Sequence, residues 1–139
     1  MRIAILLVAA AAMTAGCAGL SSGRSGTTTS VSPAADAALE IDVRHRGTDG
    51  PVRSWTLRCP PGGTLPAPER ACSRLDAMGT DAFRPIPRNV ACAELYGGPQ
   101  VAEVNGTFEG RPIRARFSRT NACEIDRWER HKFLFPVGT

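Results

Sequence analysis

Leu39, Ile41 and Val43 alternate with Glu40, Asp42 and Arg44, the period-two pattern of a strand with one face in water. After the turn-forming run Gly47-Thr48-Asp49-Gly50-Pro51, Trp55, Leu57 and Cys59 face opposite to Ser54, Thr56 and Arg58. That second alternation predicts a strand antiparallel to the first. Pro60, Pro61, Gly62, Gly63, Pro66 and Pro68 argue against regular structure in the next stretch. From Glu69 to Met78, Cys72, Leu75 and Met78 recur at helical spacing, with Gly79 placed to end a short helix. Thr80 to Pro99 holds Pro85, Pro87, Gly97 and Gly98 without a sustained period, so it reads as a loop, and a loop this long in a small domain is usually functional. Val101–Phe108 and Pro112–Ser118 flank Glu109-Gly110 and predict a hairpin. Thr120 or Asn121 can cap a helix running to Trp128, because their side-chain oxygens accept from free amides of a first turn, and Phe133 to Val137 predicts a last strand. Five strands and two short helices make an α+β domain around a five-stranded antiparallel sheet.

This domain, residues 38–139, follows two segments of another character. Residues 1–17 carry a positive start at Arg2 and an apolar run of ten residues, Ile3 to Ala12, too short to span a bilayer and typical of a signal peptide. Thr14-Ala15-Gly16-Cys17 resembles a bacterial lipobox, which makes Cys17 the expected lipid-attachment residue and the mature N-terminus. Thr14 departs from the usual Leu, Val or Ile, and the alternative is plain secretion with cleavage near Ala18. Residues 18–37 are mostly Ser, Thr, Gly and Ala and read as a flexible tether. The expectation is export, with the domain held at the membrane through a lipid anchor only.

Composition narrows the function. At 139 residues with a hydrophobic share of 42% and a charged share of 22%, the chain is one small globular domain plus its leader, not a disordered or polytopic protein. A formal net charge of +4 is too small to mark a nucleic-acid interface. Cys59, Cys72, Cys92 and Cys123 form an even set in an exported domain and read as two disulfides, with three pairings open. The odd fifth cysteine, Cys17, fits lipid attachment. Each crosslink typically contributes about 3 kcal/mol, a large part of such a domain's stability. Zinc is the rival reading, but no Cys-x-x-Cys occurs and neither His45 nor His131 has ligand spacing.

Enzyme chemistry is hard to find. His45 sits at a strand end between Arg44 and Arg46, and His131 in a charged turn, both reading as solvated surface residues rather than catalytic bases. There is no phosphate loop and no His-Glu-x-x-His. Asn105-Gly106-Thr107 matches a sequon, but Asn-Gly reads better as a turn or bulge signal, and Arg114 and Arg116 are explained as the wet face of a strand. No cofactor or metal is expected.

The runs TLRCPPGGTLPAPERACSRLDAMG, NVACAELYGGP and EVNGTFEGRPIRARFSRTNACEIDRW together resemble the Streptomyces subtilisin inhibitor family of secreted serine-protease inhibitors. The resemblance covers essentially all of residues 38–139 and rests on cysteine order and spacing, the Pro-rich loop, the Gly-turn hairpin and the Asn-Ala-Cys-Glu helix opening. It implies disulfides Cys59–Cys72 and Cys92–Cys123, a five-stranded sheet with two helices, and a homodimer through the sheet. It also implies inhibition of serine proteases by a rigid, substrate-like loop just after the third cysteine, whose P1 side chain fills the protease S1 pocket while the loop adds a short strand to the cleft.

Counting two from Cys92 makes Glu94 P1 and Leu95 P1', with Ala93 at P2 and Tyr96 at P2'. The family's type member has Pro at P2, and Gly97-Gly98 holds one more residue than that member before Pro99, so counting back from Pro99 lands on Leu95 instead. The cysteine count is the firmer anchor, because the disulfide fixes the loop directly and Tyr96 then keeps its P2' place. A Glu at P1 points to glutamyl-specific or S1-basic serine proteases, with subtilisin bound more weakly, since an unpaired carboxylate in an apolar pocket costs several kcal/mol. The alternative is a lipid-tethered cell-surface binding module on the same scaffold that inhibits nothing.

Overall fold

The computed structural model describes residues 36–137. The signal peptide, Cys17 and all but the last two residues of the segment read as a tether lie outside them.

Strand β1 runs Ala37–Arg44, starting at the last residue of that segment, and β2 runs Arg53–Cys59. They pair antiparallel with Leu39 opposite Leu57. The hairpin is β4 (Val101–Phe108) and β5 (Arg111–Phe117), and β4 pairs with β1 so that Ile41 faces Val104. Its turn, Glu109-Gly110, has φ of 49° and 72°, the doubly positive signature of a tight hairpin turn matched to strand twist. The fifth strand, β3, is Gly62–Gly63 on β2, and the sheet order is β3-β2-β1-β4-β5.

Three expectations change here. The Pro/Gly-rich stretch does contribute a strand, because Gly62 and Gly63 bring no side chains and pair with Arg58 and Leu57. Phe133 to Val137 is not a strand: Lys132–Leu134 is a single 3-10 turn, and Leu134 and Phe135 are both buried. Consecutive buried side chains are incompatible with a strand that alternates faces. These residues instead plug the core, with Phe135 against Trp128 and Phe117 at ring-centroid separations of 4.6 and 5.0 Å. Asn105-Gly106 is neither a turn nor a bulge; it lies in continuous register inside β4, where a Cβ on Gly106 would collide with the Ala38 carbonyl.

Helices α1 (Pro68–Met78) and α2 (Ala122–His131) lie on one face of the sheet. Leu39, Ile41, Val43, Leu57, Val104 and Phe117 are buried there with Leu75 of α1 and Trp128 of α2. The other face carries Glu40, Ser54, Thr56, Arg58, Thr107, Arg114 and Arg116, all exposed. Disulfides Cys59–Cys72 and Cys92–Cys123 form as the resemblance implies. Among the described residues no helix is long and apolar enough to cross a membrane.

The histidines also differ from expectation. α2 extends to His131, which puts Trp128 and His131 on its inner face, and His131 is only 3% exposed. Its Nδ1 lies 2.8 Å from the Arg127 carbonyl and its Nε2 against the Ala82 carbonyl, so α2 is tied to the start of the long loop. His45 is half-buried, just past β1. Burial holds the His131 pKa below 6.5, assisted by the charges of Arg127 and Arg130, although both carbonyl contacts pull the other way. The unfolded chain therefore takes up a proton that the folded domain resists, and stability present above about pH 6.5 is lost as pH falls below it. The Tm should drop between about pH 7 and pH 5, and His131→Gln should flatten that slope; an unchanged slope would contradict the assignment.

Candidate reactive loop

The residues from Cys92 to Gly97 form an arc whose two ends are fixed to the same piece of chain. Cys92 is bonded to Cys123, with Cα atoms 5.5 Å apart. The Ala93 carbonyl accepts from the Ala122 amide at 3.0 Å. At the far end the Gly97 amide donates to the Arg119 carbonyl at 2.7 Å. Between these ties Glu94, Leu95 and Tyr96 stand clear, with Leu95 56% and Tyr96 72% exposed. The Leu95 amide also donates to the Ala93 carbonyl at 3.0 Å, closing a three-residue turn on Glu94.

The platform under the arc is the first turn of α2, and its sequence explains how it is held. Asn121 is the N-cap, its side-chain oxygen accepting from the Glu124 amide at 2.9 Å, which satisfies one of the free donors of that turn. Arg127, only 4% exposed, reaches back from α2 to donate to the Arg116 carbonyl of β5 at 2.7 Å. Its guanidinium carbon lies 4.1 Å from the Phe117 ring centroid, and Glu124 is its ion-pair partner at 3.6 Å. Burial pushes the Arg127 pKa down, while Glu124 pulls it back up. The helix that holds the arc is thus locked to the sheet edge.

The sequence-derived positions Cys92, Ala93, Glu94, Leu95 and Tyr96 all come together in this one arc, whereas Cys59–Cys72 lies at the other end of the sheet, where Cys59 faces Ala37. Cys17 is outside the described residues. The backbone anchors at Arg119 and Ala122 and the buried Arg127 were not anticipated. Backbone partners leave no residue signal, but the spacing of Trp128 and His131 with Arg127 would have revealed the inner helix face had the helix been carried to residue 131. Among the described residues no group of three or more His, Cys, Asp or Glu side chains is placed to hold a metal ion.

A family model described as subtilisin inhibitor-like matches residues 34–122. The chain belongs to the subtilisin inhibitor-like family. Subtilisin inhibitor-like protein 1 of Streptomyces cacaoi is 36% identical over 109 residues, covering 73% of this chain and 97% of that protein. Trypsin inhibitor STI2 of Streptomyces longisporus is 34% identical over 108 residues, covering 73% of this chain and 74% of that protein. The crystal structure of Streptomyces caespitosus sermetstatin in complex with Bacillus licheniformis subtilisin shares the fold, with a TM-score of 0.50 and 22% identity over 74% of this chain and 99% of that one. The family is one of protease inhibitors, not of enzymes, and this subtilisin inhibitor-like chain has the arc and both disulfides on that scaffold.

Replacing Cys92 and Cys123 together by Ala removes the covalent tie across 31 residues, at a typical cost of about 3 kcal/mol. The domain should still unfold cooperatively, with Cys59–Cys72 intact, but a broad-specificity protease should cut between residues 93 and 97 at least about tenfold faster, since the arc would open locally. Equal cutting rates in the two proteins would show that the bond does not restrain the arc.

Proposed function

We propose that this protein is an exported inhibitor of serine endopeptidases that offers residues 92–96 as a substrate-like loop, with Glu94 as P1 and Leu95 as P1'. The observation that carries the reading is the pairing of an exposed turn at Glu94–Tyr96 with ties on both sides of it, Ala93 to Ala122 and Gly97 to Arg119. A flexible peptide loses conformational freedom when a protease cleft straightens it; an arc already held at both ends has little left to lose. If the Glu94–Leu95 bond is cut, the disulfide and the two backbone hydrogen bonds keep the new ends in place, so rejoining competes with release. Relatives on this scaffold carry names that refer to subtilisin and to trypsin, which supports a partner choice set by the loop rather than by the fold.

Glu94 makes that choice. A carboxylate suits an S1 pocket lined by cationic groups, so the preferred partner is a glutamyl-specific or otherwise S1-basic serine protease. Entry into the broad apolar pocket of subtilisin leaves the carboxylate unpaired or requires it to take up a proton. Two copies pair through the outer sheet face, which carries the side chains of Glu40, Asp42 and Glu103 between Arg58 on one side and Arg114 and Arg116 on the other. Export through the leader and attachment at Cys17 complete the proposal. The chain enters the domain at Ala37, opposite Phe108, whereas the arc leads into Val101, opposite Arg44. The chain's entry into the domain at Ala37 and the strand start that follows the arc therefore lie at opposite ends of β1, roughly 25 Å apart.

The oxidised chain from residue 18 onward, titrated against a glutamyl endopeptidase, should inhibit it stoichiometrically with a single nick at Glu94–Leu95. A nick at Leu95–Tyr96 would make Leu95 the P1 residue, and dispersed cuts without inhibition would remove the inhibitor assignment. Against subtilisin, Glu94→Leu should bind on the order of a hundredfold tighter than the parent, because a penalty of about 3 kcal/mol disappears. Parent affinity for subtilisin should strengthen as pH falls, by up to about tenfold per unit, since the bound form carries the extra proton. Glu94→Leu reports the enzyme's own titration, and identical pH profiles for the two proteins would contradict burial of the carboxylate.

A further inference from the structure

Gly97 closes the arc at a point where there is no room for a side chain. A methyl group built on its α-carbon would lie 2.8 Å from Ile125 Cγ1, 2.9 Å from Ile125 Cδ1 and 3.3 Å from Arg119 Cβ, against a preferred carbon–carbon separation of about 3.5–4.0 Å. The space that a side chain at 97 would occupy is already filled by Ile125. This residue stands in the first turn of α2, its amide donating to the Asn121 carbonyl at 2.9 Å. Being β-branched, it has essentially one favourable χ1 rotamer in a helix, so it does not swing aside at little cost. The Gly97 amide donates to the Arg119 carbonyl at 2.7 Å from this position against the Ile125 side chain.

We propose that Ile125 and Gly97 form a size-matched pair that sets how the reactive arc seats on α2, with Ile125 acting as a positioning residue for inhibition. It never needs to touch the protease. Ile125 fills the floor, Gly97 lies flat on it, and the distance between this contact and the Ala93–Ala122 tie fixes the height at which Glu94 and Leu95 are presented. The pair also explains why the chain uses Gly at 97: one extra methyl lifts the primed side of the arc away from Arg119, and one missing branch lets it sink. The effect on inhibition rests on the inhibitor reading above, whereas the seating of the arc does not.

The test is a double-mutant cycle on the oxidised chain, with Gly97→Ala, Ile125→Ala and the two combined. Amide hydrogen exchange at residue 97 reports the seating, the inhibition constant for a glutamyl endopeptidase reports its consequence, and thermal unfolding confirms that each variant is folded. Each single substitution should speed exchange at residue 97 by about tenfold or more and weaken inhibition by a comparable factor, since displacement of a reacting bond by a fraction of an ångström is costly. The combined variant should recover protection and inhibition together, because the new methyl occupies the space that Ile125 vacates. Losses that simply add in the combined variant, or exchange at residue 97 unchanged in both single variants, would overturn the pairing. If the cycle is obeyed in exchange while the parent chain inhibits no protease, the pair stands and the inhibitor reading falls. If inhibition is strong and the losses add, the pair falls and the reading stands.

Discussion

The hydrogen bond from the Ala122 amide to the Ala93 carbonyl, beside the Cys92–Cys123 bond, is the tie on which the placement of the exposed arc depends. It joins the exposed arc to the first turn of a helix, the part of a helix where amides are free to donate. Asn121 satisfies the Glu124 amide from the same turn, so the cap that begins α2 and the anchor that holds the arc are one construction. Behind it, Arg127 takes the restraint through α2 to the Arg116 carbonyl and the Phe117 ring of β5. The arc is thus connected to the sheet edge beneath it, although none of its own residues belongs to a helix or strand.

The two disulfides divide the work by location. Cys59–Cys72 joins β2 to α1 at the end of the sheet where Ala37 pairs with Cys59, and closes the Pro/Gly-rich stretch that would otherwise be a floppy excursion. Cys92–Cys123 sits at the opposite end and restrains a segment whose residues 93–96 are exposed. A small core has little stability to spare, and a crosslink fixes such a segment without needing more buried surface. The arrangement leaves Leu95 and Tyr96 exposed without loosening what supports them.

Much of this was legible in the residues. The alternation in 39–44, 54–59 and 112–118 located three strands, Glu109-Gly110 the hairpin turn, and Thr120 or Asn121 the helix cap, of which the structure uses Asn121, because each is dictated by local periodicity or backbone chemistry. The failures share a cause as well. Gly62–Gly63 was missed as a strand because its pairing comes from β2 rather than from its own composition. Phe133 to Phe135 has strand-like residue types, yet tertiary burial of Leu134 and Phe135 together overrode that propensity. His131 was read as solvated because its charged neighbours Arg130 and Lys132 face outward while it turns in. For the loop, the cysteine spacing located the arc, but the amide and carbonyl groups that hold it belong to residues whose side chains say nothing about the role.

The central claim is that the arc is held in a cleavable but not releasable form before any protease arrives. The most direct measurement is the equilibrium ratio of nicked to intact chain in the presence of a catalytic amount of glutamyl endopeptidase, approached from both directions. If the ties at Ala93, Gly97 and Cys92 keep the cut ends aligned, intact chain should reappear from purified nicked chain and the ratio should settle near unity, within about tenfold either way, because cutting then releases little conformational entropy. Complete, one-way conversion to nicked chain would contradict the account, since it would mean that the ends separate once the bond is broken.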